Sequence, residues 1–385
     1  RIFTMKEYSA QEMKEIYSGR RAKIVEYLKE NNIGAAVFID SEAHRDPSIR
    51  YFTGHTSDAV LVILQNGSST LVPWDEILAK KIAFCDKIIP YGKFKNSDIE
   101  AVKSILDGAK KIENFKVEIP PYIPYPNFLE FIEANPDWDV VCKNEGVHKF
   151  AVQLRTIKDE YEVECTKEAA RIGDLIINKI EEKIHSEEIK TEMDVSLLIE
   201  KELRLNGCER TGFDTLAAGP ARSWAIHAFP GYTNGEWPGN GLSILDFGVV
   251  YNGYTSDTTL AVVKGEISPE QEKLVELVQH AADECLRLYK KDVPVKDACE
   301  LAEKIFAKEK RKMPHTLGHG IGLEIHEFPR VSTKMTADVT FQPGMIITLE
   351  PGLYDEKLGG VRLENDVLIT ETGNEVITHS RIIRL

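Results

Sequence analysis

The stretch Ile244-Leu245-Asp246-Phe247-Gly248-Val249-Val250-Tyr251-Asn252-Gly253-Tyr254-Thr255-Ser256-Asp257 decides how this chain is read. Asn252-Gly253 between apolar runs is a two-residue hairpin signal, because both central residues of such a turn need positive φ. With that turn, Tyr251 faces Tyr254, Asp246 lies opposite Thr259, and Asp257 lies opposite Gly248. Asp246 and Asp257 become diagonal neighbours on one face, with backbones roughly 7–8 Å apart. Two carboxylates so placed on an apolar hairpin repel unless something neutralises them, and a divalent cation does so. The hairpin alone also allows a blander arrangement, one buried Asp capping a turn and one exposed Asp.

Two downstream segments carry similar residues. His315-Thr316-Leu317-Gly318-His319-Gly320-Ile321-Gly322-Leu323-Glu324-Ile325-His326-Glu327 places three histidines in a glycine-rich run. The alternate glycines argue against a regular helix and allow close backbone approach. Imidazole serves both transition-metal ligation and proton transfer. Further on, Glu350 ends the apolar run Met345-Ile346-Ile347-Thr348-Leu349, an odd place for a solvated charge. Arg362 and Glu364 follow, two apart and so expected on one strand face. Alone, that last pair reads more readily as a surface ion pair than as part of a site.

Outward from these segments the chain reads as α/β throughout. Residues 1–150 are expected to form a small α/β domain. It has a helix from Gln11 to Glu30, a buried strand at Ala35–Ile39 and a hairpin of Val60–Leu64 with Ser69–Val72 about Asn66-Gly67. Helices are expected at Ile99–Leu106 and near Phe128–Ala134. The pattern weakens between Lys143 and Arg155, where the junction is placed. Residues 151–385 read as helix–helix–hairpin twice over. The first set has helices at Lys158–Ile184 and Asp194–Leu205 with strands at Ser243–Val250 and Tyr254–Val263. The second has helices at Pro269–Tyr289 and Val295–Lys308 with strands at Met345–Glu350 and Val361–Ile369. The repeat is one of pattern, not of residues, and can set matching strands on either side of one central site.

Composition limits the function classes. The 385 residues are 42% hydrophobic and 29% charged, with a net charge of −14. That balance argues against nucleic acid or an anionic membrane as the main partner. No apolar run approaches the ~20 residues needed to span a bilayer. The opening Arg1-Ile2-Phe3-Thr4-Met5-Lys6 has no apolar leader core, so no signal peptide is expected. Cys85, Cys142, Cys165, Cys208, Cys285 and Cys299 form no CxxC pair, so buried free thiols in a reducing compartment are expected, with cytoplasm the default.

Taken together, the three segments resemble the pita-bread metallopeptidases: methionine aminopeptidase, aminopeptidase P and prolidase. The shared pattern is Asp, a second Asp eleven residues on, Gly-His-Gly with a later His-Glu, Glu-Pro-Gly, and Gly-x-Arg-x-Glu. Here these are Asp246, Asp257, Gly318-His319-Gly320, His326-Glu327, Glu350-Pro351-Gly352 and Gly360-Val361-Arg362-Leu363-Glu364. Arg155-Thr156-Ile157-Lys158 with Glu162 resembles the start of the catalytic domain in prolidases and aminopeptidases P. Ile49-Arg50-Tyr51-Phe52-Thr53-Gly54 resembles their creatinase-type N-terminal domain, which methionine aminopeptidases lack.

The resemblance implies a pita-bread fold at 151–385, a smaller creatinase-type domain at 1–150, and two divalent metal ions held by Asp246, Asp257, His319, Glu350 and Glu364. Asp257 and Glu364 would bridge the ions. The oxygen-rich donor set favours Mn2+, with Co2+, Fe2+ or Zn2+ as alternatives. It further implies Glu350 as general base, His227 and His326 as partners of the scissile carbonyl, and Arg362 as the residue orienting the metal-bridging groups. The activity implied is cleavage of Xaa-Pro dipeptides, or alternatively of longer Xaa-Pro-Yaa chains by an aminopeptidase P. Short proline-containing peptides would be the partners, and a homodimer the assembly. A non-catalytic peptide-binding module of this fold is a competing reading, but such relatives lose ligands. The chain departs from the family at Leu260, where many members have Arg, and at Gly219-Pro220-Ala221-Arg222-Ser223, ahead of His227.

Overall fold

The computed structural model describes residues 5–109 and 112–385; the opening residues 1–4, read above for a leader, lie outside the described residues. Two compact units emerge, Glu7–Leu154 and a larger one built on Arg155–Leu385.

The smaller unit is a mixed six-stranded sheet with helices. In spatial order its strands are Lys87–Ile88, Ser69–Pro73, Ala59–Leu64, Ala35–Asp40, Lys116–Ile119 and Asp139–Cys142. The hairpin register pairs Val62 with Thr70 and Leu61 with Leu71 about a turn in which Gly67 takes φ +94°. Ala35–Ile39 is buried because both of its faces are covered. Ala35, Val37 and Ile39 pack with Val102, Leu106 and Phe131, while Phe38 meets Phe52 and His148. The first helix, Ala10–Glu30, starts at a capping box between Ser9 and Glu12, which satisfies two otherwise orphaned amides. The weakly patterned stretch after Lys143 holds a further helix, Val147–Leu154. Its buried side, Val147, His148 and Ala151, includes a histidine, so an apolar period understates it.

In the larger unit two helix pairs accompany two sheets. The helices Glu160–His185 and Glu192–Leu205 start at capping boxes on Asp159 and Thr191. Their Ile172, Ile176, Val195 and Ile199 pack against Leu245, Phe247, Leu260 and Val262. Helices Pro269–Leu286 and Val295–Lys308 bring Leu274, Val278, Ala298 and Ala302 against Ile347, Val367 and Ile369, and also against Leu242, Ala261 and Val263. The strand Thr258–Lys264 therefore sends alternate side chains to the two helix pairs. The four-stranded sheet runs Ile382–Arg384, Thr258–Lys264, Gly241–Phe247, Leu216–Ala218. The five-stranded sheet runs Glu327–Val331, Gly318–Gly320, Ile346–Leu349, Asn365–Thr370, Gly373–Val376.

Two expected strands are broken where the site lies. The hairpin keeps its register, Tyr251 facing Tyr254 and Asp246 facing Thr259, but it is interrupted at Gly248 and at Ser256-Asp257. Its tip joins a separate three-stranded sheet with Arg210–Thr211. A Cβ on Gly248 would lie 2.0 Å from Ser256 O, so the local crowding admits only glycine. The expected single strand Val361–Ile369 is two, Gly359–Arg362 and Asn365–Thr370, in different sheets. The break at Leu363-Glu364 lets Glu364 N donate to Thr259 O at 3.0 Å, an isolated bridge that ties the break to the four-stranded sheet. The helix expected to reach Tyr289 stops at Leu286. All six cysteines are free as expected, but Cys85 and Cys142 are only partly buried. Among the described residues no helix is long and apolar enough to cross a membrane.

Candidate metal centre

Four of the five candidate ligands sit at or beside the end of a strand, and His319 sits within a short one. Asp246 is the penultimate residue of Gly241–Phe247 and points to the same face as Leu242 and Ile244. Asp257 occupies the gap before Thr258, its amide donating to Asp366 Oδ2 at 2.9 Å. His319 is the middle of the short strand Gly318–Gly320. A Cβ at Gly318 would fall 1.9 Å from Thr348 O, and one at Gly320 2.4 Å from Phe328 O. The glycines are thus needed for neighbouring backbones to close on His319. Glu350 follows Ile346–Leu349, its amide held by Leu317 O at 2.9 Å. Glu364 Oε2 accepts from Thr259 Oγ1 at 2.6 Å.

The side chains converge. Ligand atoms of Asp257, His319 and Glu364 all lie within 4.8 Å of one another. His319 Nε2 stands 3.6 Å from Asp257 Oδ2 and 3.4 Å from Glu350 Oε1. Asp246 and Glu350 fall outside that tightest trio but line the same cavity, of about 790 Å³, as do His227, His326 and Arg362. Asp246, Asp257, His319 and Glu364 are buried, which sets aside the exposed-Asp and surface-pair alternatives. His227 and His326 stay open to solvent, and the His326 ring sits edge-on to His319 at 4.4 Å.

The electrostatics call for a cation. Burial, together with Glu364, Asp246, Asp366 and Glu350, holds Asp257 well above the usual carboxylate range. Burial and then Glu350 and Asp246 do the same to Glu364. Burial pushes Glu350 up to about 8, Arg362 opposing and Asp246 adding to the rise. Burial, with His326 beside it, lowers His319 to about 4, leaving a neutral imidazole with a lone pair to give. Asp246 Oδ1 and Asp257 Oδ1 are buried with no hydrogen-bond partner among the described residues. Buried orphan oxygens of this kind are costly unless they meet a positive charge, so the donor set fits divalent metal ions.

Around the donors lies a shell that the sequence only partly revealed. Arg362 donates to Asp246 Oδ2, Thr259 Oγ1, Tyr354 Oη and Ile226 O. Tyr354 Oη in turn meets His315 Nε2 at 3.0 Å, while His315 Nδ1 lies 2.8 Å from Thr316 O. The first histidine of the run is thus tied to the shell. Thr259 and Tyr354 carried no motif; only their pairing opposite Asp246 and beside Arg362 would have marked them. Glu327 is buried and pairs with Lys158 Nζ at 3.0 Å and with Arg155. The Arg-Thr-Ile-Lys motif therefore braces the residue next to His326, a link across 169 positions that sequence spacing does not announce.

Residues 164–371 match metallopeptidase family M24. The chain belongs to that family. It is 31% identical to the Xaa-Pro dipeptidase of Pyrococcus horikoshii over 94% of this chain and 98% of that one. Among solved structures it resembles the prolidase of Pyrococcus horikoshii OT3, with a TM-score of 0.80 and 28% identity over 94% and 98% of the two chains. It also resembles the X-Pro aminopeptidase of Thermotoga maritima MSB8, with a TM-score of 0.81 and 26% identity over 95% and 99%. This M24 chain has the pita-bread fold, it is a peptidase, and its family chemistry runs on divalent metal ions.

Proposed function

We propose that this M24 peptidase is an Xaa-Pro dipeptidase. The observation that carries the reading is Arg330. It lines the cavity that holds the five candidate ligands, it is exposed, and its side chain has no hydrogen bond or ion pair among the described residues. The other arginine of that cavity, Arg362, is committed to Asp246 and Tyr354. A dipeptide ends in a carboxylate at its proline, and a free guanidinium matches that group by a two-pronged contact. An internal peptide bond offers no such charge. The relatives named as Xaa-Pro dipeptidases support the same substrate class.

In this proposal Asp246, Asp257, His319, Glu350 and Glu364 hold two divalent ions, Mn2+ being favoured by the oxygen-rich set. The bound ions supply Lewis-acid polarisation and acidify water. Glu350 takes a proton during attack and returns it to the leaving proline nitrogen. His227 and His326 donate hydrogen bonds to the oxyanion. Arg362 fixes the direction of Asp246. Residues 1–150 form the creatinase-type domain and 151–385 the catalytic one. A cytoplasmic homodimer acting on short proline peptides completes the proposal.

The test offers the Mn- or Co-loaded enzyme Xaa-Pro and Xaa-Pro-Yaa side by side. Cleavage of the dipeptide is expected. Cleavage of the tripeptide alone would replace this reading with an aminopeptidase P, which the likeness to the Thermotoga maritima enzyme makes the second candidate. Light scattering decides the dimer.

A further inference from the structure

The segment from Gly219 to Gly235 forms one wall of the cavity through Ile226, His227, Ala228, Phe229, Pro230 and Gly231. Phe229 is 96% exposed, so its own packing does not hold this wall. The anchor lies outside the cavity, at Glu192, the first residue of the helix Glu192–Leu205. The Glu192 side chain is 1% exposed. Its Oε1 accepts from Gly219 N at 2.9 Å. Its Oε2 accepts from Thr233 N at 2.7 Å, from Thr233 Oγ1 at 2.6 Å and from Arg222 Nη1. The Glu192 amide donates to Gly235 O at 2.9 Å. One buried carboxylate thus ties both legs of the segment to the helix. Arg222 extends the tie inward, its Nη2 donating to Pro230 O.

A second set of ties reaches the wall from the metal centre. Arg362 Nη1 donates to Ile226 O at 3.2 Å, and Gly360 N donates to Ser223 Oγ at 3.1 Å. Residues 223–226 are therefore held by the strand that carries Arg362, and the outer stretch around Pro230 by Arg222 and Glu192.

We infer that Glu192 and Arg222 are positioning residues that fix the outer, apolar part of the substrate wall and so set how tightly the peptide is held. The link to peptide affinity rests on the dipeptidase reading; the mechanical link does not.

The experiment compares the full-length, metal-loaded wild type with Arg222→Met, Arg222→Lys and Glu192→Gln. Hydrogen exchange across residues 219–235 is expected to speed up about tenfold in Arg222→Met, as local opening eases. Its KM for Xaa-Pro is expected to rise about tenfold with kcat within about twofold, the signature of lost uniform binding. Bound metal should match the wild type, while Tm should fall, because Arg222→Met leaves the Glu192 carboxylate buried without its guanidinium partner. Arg222→Lys should recover part of the exchange protection through its charge on Glu192, and Glu192→Gln should loosen the same residues. Wild-type exchange in both Arg222→Met and Glu192→Gln overturns the inference. So does a fall in kcat at unchanged KM, which would place Arg222 in the chemistry. If the wild type fails to cleave Xaa-Pro, the dipeptidase reading falls, and the exchange measurement still decides the clamp.

Discussion

Arg362 Nη2 donates to Asp246 Oδ2 across 2.6 Å, with both residues buried. The same guanidinium reaches Thr259 Oγ1 at 3.0 Å and Tyr354 Oη at 2.6 Å, so one planar fork sets three groups at once. A lysine presents a single point charge and reproduces one contact at most. Arg362→Lys is expected to lower kcat/KM by about a hundredfold, the scale of breaking a buried charge pair (~3 kcal/mol). Steady-state kinetics at saturating divalent metal checks this, and activity within threefold of wild type would remove Arg362 from the site's framework.

Glu350→Gln keeps the shape of the side chain and removes the proton acceptor. The expected fall in kcat is about 10²–10⁴-fold, the range of general acid–base assistance. An unchanged hydrolytic rate, with metal content verified by mass spectrometry, would exclude Glu350 as the base.

The metal-stripped protein should lose stability as pH rises. Glu350 is raised to about 8, and Asp257 and Glu364 are also raised, in every case by burial first. Their folded pKa values exceed the unfolded ones, near 4. These groups therefore cost nothing while protonated, and stability drains away from the ordinary carboxylate range up through pH 8. Thermal midpoints in chelator should be higher at pH 6 than at pH 8.5. Added Mn2+ should raise the midpoint most at pH 8.5, where the deprotonated oxygens bind it. A midpoint that climbs with pH in chelator would contradict the electrostatics described above.

Arg330→Met should raise the KM for Xaa-Pro by roughly 10–100-fold, since a hydrogen bond to a charged group is worth about 1.5–3 kcal/mol. Xaa-Pro amide, which lacks the terminal carboxylate, should show almost no difference between wild type and variant. Equal losses on both substrates would mean that Arg330 does something other than meet that carboxylate.

Lys158→Met leaves Glu327 buried beside Arg155 alone. A loss of about 3–5 kcal/mol in unfolding free energy is expected, measurable by urea titration. A change below ~1 kcal/mol would show that Arg155 suffices.

Much of this was legible before the structure because the chemistry is written in short motifs. The Asn252-Gly253 turn fixes a register, and that register alone put Asp246 opposite Thr259, where it is found. The breaks at Gly248 and at Leu363-Glu364 were not legible, because a run of apolar residues reads as one strand whether or not it changes sheet. Long-range partners were equally hidden. Nothing in local spacing links Lys158 with Glu327, or Glu192 with Arg222 and Thr233. Those pairs are set by how helix starts meet a strand end or a loop from distant parts of the chain. Arg330 was overlooked because a lone exposed arginine carries no signal until the cavity it borders is known.

The backbone bridge between Thr259 and Glu364 joins two segments drawn from the two halves of the larger unit. Up to Lys264 the chain brings Asp246 and Asp257; beyond it come His319, Glu350 and Glu364. Neither half owns a full complement of donors. Fragments produced separately on either side of Gly265 would be inert, and hydrolysis in their mixture would count reassembled seams directly, making the peptidase its own reporter of complementation.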